Sequence, residues 1–314
     1  MPTRKGSIRL FRFAGVDVFL HWSWFIVALV ELNYRQNHYS SMAWNAAEYV
    51  ALFGVVLLHE FGHALACRQV GGQANQIVLW PLGGVAYVAP PPRPGATLWA
   101  IAAGPLVNLV LLPAALFLAW VSQSVGWGDA LPNLQRFLWA LVVINAGLLI
   151  FNLLPVYPLD GGQILRSLLW FFLGRARSLL VTAVVGLVGV AGLLAFAAFS
   201  RSIWLGILSV FVLLNCWRGL RVARMLSRLD QAPRRAGFAC PACHAAPPTG
   251  AFWLCHHCRT RFDTFATGAI CPRCQARFEE TGCLHCGASR AMSEWVQPPP
   301  LPSNGGEARP NGLS

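Results

Sequence analysis

Three residues that could bind and use a metal ion stand close together in the chain: His59, Glu60 and His63, in the pattern H-E-x-x-H. On a helix, side chains four positions apart lie on one face, so both imidazoles can reach one metal ion. Glu60 lies near that face and can take a proton from a water bound to the metal. The pattern therefore predicts a zinc site with a glutamate as general base.

The residues before this motif are wholly apolar, since positions 51–58 read ALFGVVLL. Each ionisable residue at the centre of a membrane helix costs about 2.5–3.5 kcal/mol on insertion scales. Two histidines and a glutamate without a role would be costly there. We therefore expect a metal site within or at the edge of a membrane span; the alternative is that these residues simply reach water at the cytoplasmic boundary.

A catalytic zinc usually has three protein ligands and a water. Ionisable residues are scarce in the hydrophobic part of the chain, and Asp160 in the sequence Leu-Asp-Gly-Gly follows the fourth apolar run. The predicted topology brings this position to the membrane depth of His63, which makes Asp160 the candidate third ligand. The alternative is that Asp160 caps a helix starting near Gln163.

The composition predicts a mostly α-helical, multi-pass membrane protein. Of the 314 residues, 56% are hydrophobic and 11% charged, against about 25% charged in a soluble domain. No cleavable secretory signal is indicated, because residues 1–15 are polar and basic. Six apolar runs are candidate spans, the last two being also compatible with a hairpin: Val18–Leu32 (extended by 11–16), Ala43–Cys67, Thr97–Val121, Phe137–Leu154, Leu179–Phe199 and Ile203–Trp217.

Basic residues predict the orientation of these spans, because short cytoplasmic loops carry excess Lys and Arg. With six crossings and a cytoplasmic N-terminus, the basic residues fall mainly on the cytoplasmic side, and only Arg35, Arg136 and Arg201 lie opposite. The cytoplasmic set is Arg4, Lys5, Arg9, Arg12, Arg68, Arg93, Arg166, Arg175, Arg177, Arg218, Arg221, Arg224 and Arg228. We expect both termini in the cytoplasm, a bacterial inner-membrane location, and anionic lipid beside residues 218–235.

One apolar segment has the pattern of a β-hairpin rather than of a span. Gln76–Val88 reads QIVLWPLGGVAYV, with β-favouring residues on both sides of a Pro-Leu-Gly-Gly break. Irregular backbone at membrane depth requires protein or water to satisfy its polar groups. We therefore expect a re-entrant hairpin, whose strand edge and glycines Gly83 and Gly84 could hold an unwound substrate segment.

The combined motifs resemble the site-2 protease family of intramembrane zinc metalloproteases, nearest the compact bacterial group that processes a sporulation factor. The resemblance rests on HEFGHALA, on PLGGVA, on AAGPLVN (Ala102 to Asn108) and on NLLPVYPLDGG, within Ile8 to Arg224. It implies zinc ligands at His59, His63 and Asp160, with Glu60 as general base in the hydrolysis of membrane-spanning or membrane-tethered proteins.

The resemblance also implies that Asn152 binds or orients substrate near the zinc. For Asn108 we favour helix packing beside Gly104 over a functional role. His21, beside Trp22 and Trp24, is interpreted as an ordinary interfacial histidine.

Eight of the ten cysteines form four C-x-x-C pairs. Such pairs are typical of structural zinc sites, and eight thiolates suffice for two tetrahedral ions. The pattern resembles a double zinc ribbon, which implies that the first two pairs share one ion and the last two another; the spacers between pairs are shorter than is common in ribbons, which leaves the pairing open. The cysteines are Cys240, Cys243, Cys255, Cys258, Cys271, Cys274, Cys283 and Cys286.

The cysteine module is nearly neutral, which argues against nucleic acid as its partner and favours a regulatory protein. The chain is thus divided into a protease domain (1–224), a basic juxtamembrane linker (225–238), a double zinc ribbon (239–290) and a disordered tail (291–314). A competing interpretation is an inactive membrane scaffold, or an adaptor acting through its ribbons. Intact Glu60 and Asp160 argue against the inactive scaffold.

Overall fold

Five of the six apolar runs lie in long helices. In the computed structural model, which describes residues 6–34, 38–80 and 83–296, five helices are long and apolar enough to cross a membrane: Met42–Gln69, Pro94–Ser124, Pro132–Leu153, Asp160–Phe199 and Leu205–Gln231. The chain forms two units, Met1–Leu226 and Ser227–Ser314. The helices are α1 (Ser23–Tyr34), α2 (Met42–Gln69), α3 (Pro94–Ser124), α4 (Trp127–Ala130), α5 (Pro132–Leu153), α6 (Asp160–Phe199) and α7 (Ile203–Gln231).

The first predicted span is not a single helix, and that prediction is wrong. Its N-terminal part forms the antiparallel strands β1 (Ser7–Phe13) and β2 (Val16–His21), and only the 12-residue α1 follows. Twelve helical residues are about 18 Å long, too short for a hydrocarbon core of about 30 Å. The local pattern is that of a strand, because Val16 and Val18 are buried while Asp17 between them is partly exposed.

Strand and short helix nevertheless lie along the length of α2. Val16 and Val18 share a buried cluster with Phe61, in the C-terminal half of α2. In the N-terminal half, Tyr49 donates a hydrogen bond of 2.7 Å to the Trp24 carbonyl at the start of α1. β2 thus lies beside the C-terminal half of α2, and α1 begins beside its N-terminal half. Together they run along α2 as the single predicted helix would, and they end near the N-terminus of α2.

A four-stranded sheet with the order β1-β2-β3-β4 packs against α2. The predicted hairpin is present as β3 (Gln73–Trp80) and β4 (Gly83–Ala89), which pair antiparallel, while β3 pairs parallel with β2. Residues 81–82 lie outside the described residues. Arg68, in the last turn of α2, donates to the carbonyls of Ala74 and Gly15 at 2.9 Å. These bonds fix the sheet to the end of α2.

Helix α6 reverses direction at Gly174. Gly162 and Gly186 both lie against Tyr157: a Cβ added to either would meet the Tyr157 backbone nitrogen, at 2.5 and 3.2 Å. In a straight helix, 24 residues would separate these glycines by about 36 Å. Gly174, midway between them, has φ 76° and ψ 172°, so α6 consists of two helical segments folded back on each other.

The loop between α5 and α6 packs against residues of α6 and α7. The Cys216 thiol on α7 donates to the Tyr157 carbonyl at 2.8 Å, and Val156 packs against Val190 and Val212. A loop carrying two prolines thus packs between α6 and α7, and it leads directly into Asp160.

The second unit is small and rich in turns. Its strands are β5 (Trp253–Leu254), β6 (Arg261–Phe262), β7 (Glu280–Gly282) and β8 (Ser289–Ala291), followed by a 3-10 turn, Met292–Trp295. Phe265 makes edge contacts with Trp253 and Trp295. Trp295 is fully buried, so packing extends past residue 290, where the predicted ribbon ends. Helix α7 also continues into the predicted linker, to Gln231.

Replacing Gly174 should destabilise the first unit, because its backbone conformation is one that essentially only glycine adopts. We expect Gly174→Ala to lower the free energy of unfolding by about 1–3 kcal/mol. Gly192→Ala, in the second segment of α6 with open space around it, should be neutral or stabilising, since alanine is the better helix former. Denaturant unfolding in detergent compares the two; equal stabilities would contradict a reversal at Gly174.

Candidate active site

The structure brings three of the predicted site residues to one point. His59 Nε2 and His63 Nε2 lie 3.1 Å apart. Asp160 Oδ2 lies 3.0 Å from His59 Nε2 and 3.3 Å from His63 Nε2. All three residues are buried. Helix α2 contributes the two imidazoles and the first residue of α6 contributes the carboxylate.

These three atoms fit a zinc ion. Zn–N and Zn–O bonds of about 2.0 Å in a tetrahedron separate neighbouring ligand atoms by about 3.3 Å, close to the three observed distances. Two imidazoles and a carboxylate are a donor set that zinc favours, and three ligands leave a fourth position open. The alternative role of Asp160 as a helix cap is not observed: the residue at the N-cap of α6 is Leu159, and no side chain caps the helix.

Both histidines have their second ring nitrogen fixed by an acceptor. His63 Nδ1 donates to the carbonyl of Ala100 at 2.9 Å, and His59 Nδ1 lies 2.5 Å from Asn108 Oδ1. An acceptor at Nδ1 places the ring proton there, which leaves Nε2 free to bind metal. Asn108 is therefore buried in the bundle and also contacts a predicted ligand, a contact that the packing interpretation did not include. Asn145, which hydrogen-bonds Asn108, was not among the residues predicted from the sequence. The sequence signal for it is a polar amide within an apolar run.

The AAGPLVN segment of α3 permits the close approach of α2. A Cβ on Gly104 would overlap the His63 ring and would lie 2.8 Å from His59 Nε2. A Cβ on Gly62 would lie 2.7 Å from the Ala103 carbonyl oxygen. The two helices thus cross at glycines, and the metal-binding face of α2 lies directly on the α3 backbone.

Glu60 is buried beside the trio and is held by strand β4. Its Oε2 accepts a hydrogen bond of 2.8 Å from the Ala86 amide, and a Cβ on Gly84 would overlap its carboxyl group. One carboxylate oxygen thus has a fixed donor. Because Gly84 lies against Glu60, a bulky residue there would displace the predicted base itself.

Gly83 and Asn152 are the other residues predicted to bind substrate. Gly83 is the first residue of β4, and Asn152 is half-buried in the last turn of α5. His21 stacks on Trp80 with ring centroids 4.0 Å apart and pairs with the Ser23 hydroxyl at 2.5 Å.

The eight paired cysteines form two clusters, but not those expected. The first C-x-x-C pair joins the fourth and the second joins the third, so the predicted sequential pairing is wrong. Sulfur–sulfur distances are 3.7 Å for Cys240–Cys286 and 3.5 Å for Cys255–Cys274. Four sulfurs around a tetrahedral zinc lie about 3.8 Å apart, whereas a disulfide is about 2.05 Å long. Both clusters therefore fit one ion each.

The four C-x-x-C pairs have the same local geometry, a tight turn that we call a knuckle. In each one, the residue after the second cysteine has a left-handed conformation and donates its amide to the carbonyl of the first cysteine, at 2.8–3.0 Å. These residues are His244, Arg259, Gln275 and Gly287.

In the knuckle formed by Cys255 and Cys258, a hydrogen bond with the Thr260 side chain lowers the pKa of Cys258 to about 6. The lowered pKa favours the thiolate form, which is the form that zinc binds.

Replacing Gly104 by alanine should weaken metal binding between α2 and α6. The added methyl group overlaps both imidazoles, and overpacking of this kind costs about 1–3 kcal/mol, equivalent to about a 5- to 150-fold loss of zinc affinity. Gly54→Ala on α2, where no atom lies within 4 Å of the added group, is the matched control. Zinc competition titrations measure both variants; equal affinities would contradict the close approach.

Paired cysteine substitutions should distinguish the nested from the sequential clusters. A chain carrying Cys243→Ser and Cys283→Ser loses ligands from one nested cluster, so it should lose one ion. Cys243→Ser with Cys258→Ser disrupts both clusters and should lose two. Zinc content by mass spectrometry of the intact chain measures this. The opposite order, two ions lost in the first chain and one in the second, would establish sequential pairing.

Comparison with known proteins agrees with this geometry. Residues 47–133 and 128–196 match peptidase family M50. A zinc metalloprotease of Methanocaldococcus jannaschii is 34% identical over 221 residues, covering 70% of this chain and 62% of that protein. Stage IV sporulation protein FB of Bacillus subtilis is 35% identical over 118 residues, covering 37% and 38%.

A solved structure is also similar. The site-2 protease from Methanocaldococcus jannaschii shares 30% identity and a TM-score of 0.49, covering 68% of this chain and 95% of that one. The chain spans less than two thirds of the length of the curated relatives it matches. The family match includes the H-E-x-x-H helix and Asp160, and the chain therefore belongs to peptidase family M50, as a multi-pass membrane protein of the site-2 protease family.

Proposed function

We propose that this chain is an intramembrane zinc metalloendopeptidase that hydrolyses peptide bonds of membrane-spanning or membrane-tethered proteins. One observation carries the proposal: His59, His63 and Asp160 meet within 3.3 Å at a buried point between apolar helices, with Glu60 beside them. The relatives' names as zinc metalloproteases support the reaction class.

In this proposal the three ligands hold the ion and Glu60 moves the proton. A bound zinc ion would lower the pKa of the attacking water and polarise the scissile carbonyl. Glu60 accepts the proton of the attacking water and delivers it to the leaving amine. The Ala86 amide bonds Glu60 Oε2, which orients the carboxylate and leaves Oε1 to exchange the proton.

Strand β4 is the proposed docking edge for substrate. It lies at the edge of the described sheet, with β3 as its neighbour, and Ala86 joins it to Glu60. A substrate helix in lipid has its backbone paired internally and must unwind before attack. An unwound segment added to β4 would lie beside Glu60, with Gly83 and Gly84 giving backbone access and Asn152 contributing a polar contact.

The proposal includes one catalytic zinc, two structural zinc ions in the cysteine clusters, and cytoplasmic termini in a bacterial inner membrane. The distribution of arginines supports this orientation. The basic segment 218–235 is proposed to contact anionic lipid. The zinc ribbons are proposed to be structural, because closed four-cysteine sites leave no position open for catalysis. Since the module is also nearly neutral, we propose a regulatory protein rather than nucleic acid as its partner.

Glu60→Gln should abolish peptide-bond cleavage while zinc remains bound, because Glu60 moves protons and is not a ligand. We expect turnover of a membrane-tethered substrate in proteoliposomes to fall by at least about 10²-fold. Glu48→Gln is the matched control: it makes the same change on the same helix, at a buried glutamate that accepts from Tyr39, and turnover should persist. Cleavage by Glu60→Gln at the parent rate would refute the proposal.

A further inference from the structure

Two asparagines on different helices form a buried pair behind the metal site. Asn108 on α3 is fully buried and Asn145 on α5 is 1% exposed. Amides within membrane spans are costly unless their hydrogen bonds are made. Neither residue contacts the predicted position of the metal, since His59 lies between that position and Asn108.

Asn145 uses both ends of its amide on Asn108. Its Oδ1 accepts from Asn108 Nδ2 at 2.6 Å, and its Nδ2 donates to the Asn108 backbone carbonyl at 2.8 Å. The backbone carbonyl can only accept, so the orientation of the Asn145 amide is fixed. Asn145 therefore presents an acceptor to the Asn108 side chain.

That acceptor determines which end of the Asn108 amide faces His59. If the Asn108 amide rotated by half a turn, its oxygen would face the Asn145 oxygen and its NH₂ group would face His59 Nδ1. His59 would then carry its proton on Nε2, the nitrogen that points to Asp160 and His63. In that tautomer, Nε2 could not bind a metal ion.

We propose that Asn145 is a positioning residue for the metal site, which acts through Asn108 to hold His59 in the metal-binding tautomer and ring orientation. The inference rests on the proposed zinc site and deepens it by two residues. The proposal also gives α5 a role in the site. This helix leads into the loop before Asp160, and its Asn145 holds His59 on α2 through Asn108 on α3. Both hydrogen bonds described for the Asn145 side chain go to Asn108.

A merely structural role would be helix packing, and a double-variant cycle on the full chain separates the two. Zinc affinity is measured by chelator competition for Asn108→Ala, for Asn145→Ala and for the double variant, with His63→Ala giving the ribbon-only baseline. The visible spectrum of the Co²⁺-loaded chain reports ligand geometry without any turnover. Thr182→Val is the control, because Thr182 is a buried polar residue that bonds only carbonyls of its own helix.

We expect each asparagine variant to weaken zinc binding by about 10-fold or more, as partners of metal-binding histidines do. The double variant should be no weaker than Asn108→Ala, because Asn145 acts through Asn108. Asn145→Ser, which keeps a hydroxyl acceptor in place of the amide, should lose less than Asn145→Ala, and it provides a milder change if the alanine variant fails to fold. Thr182→Val should bind as the parent does.

Two results would overturn the inference: parent-like zinc affinity and Co²⁺ spectrum in Asn145→Ala and Asn145→Ser, or a full additional loss from Asn145→Ala on top of Asn108→Ala. Failure of the zinc site itself would be seen separately. In that case the parent chain would bind no more metal than His63→Ala, and both the proposed function and this inference would fall.

Discussion

The convergence of one carboxylate and two imidazoles at a buried point is the constraint on which the rest of the first unit depends. Asp160 and the two histidines lie within 3.3 Å of each other among apolar helices. A buried carboxylate is costly unless a cation and hydrogen bonds compensate it. A zinc ion at this point would supply the charge, and the surrounding elements supply the geometry: the α3 backbone fixes His63, Asn108 fixes His59, and the loop held by α6 and α7 delivers Asp160.

Close backbone approach is the means by which the helices build this point. Gly62 and Gly104 lie at the crossing of α2 and α3, so the imidazoles pack directly on the backbone of α3. Small residues at helix crossings are how membrane bundles gain packing and hydrogen bonds without a hydrophobic driving force. The sheet contributes in the same way from the other side, since Gly84 and the Ala86 amide hold the Glu60 carboxylate.

The three candidate metal ligands could be identified from the sequence because helical spacing is local and ionisable residues are rare in apolar runs. His59 and His63 are four residues apart, and Asp160 was conspicuous by its charge. Asn145 could not be found in this way: an amide in an apolar run has no characteristic spacing, and its role depends on α5 lying beside α3. The contact of Asn108 with His59 could not be predicted, for the same reason.

Other features depend on tertiary context that hydropathy does not contain. The first predicted span has the hydrophobicity of a membrane helix. Its residues Val16–His21 instead form strand β2, which pairs with β3 more than fifty residues further along the chain. The nested cysteine clusters require the first and last knuckles to meet, although neighbours in sequence were the simpler expectation. The reversal at Gly174 depends on a single backbone conformation, beside Arg175 and Arg177 at the break between two apolar segments.

A zinc ion bound between α2 and α6 would be located by an anomalous difference map from crystals of the intact chain, measured on both sides of the zinc absorption edge. We expect a zinc peak within bonding distance of His59 Nε2, His63 Nε2 and an Asp160 oxygen, and one further peak in each cysteine cluster. Zinc peaks confined to the cysteine clusters, in crystals grown with zinc present, would show that the three residues do not hold zinc.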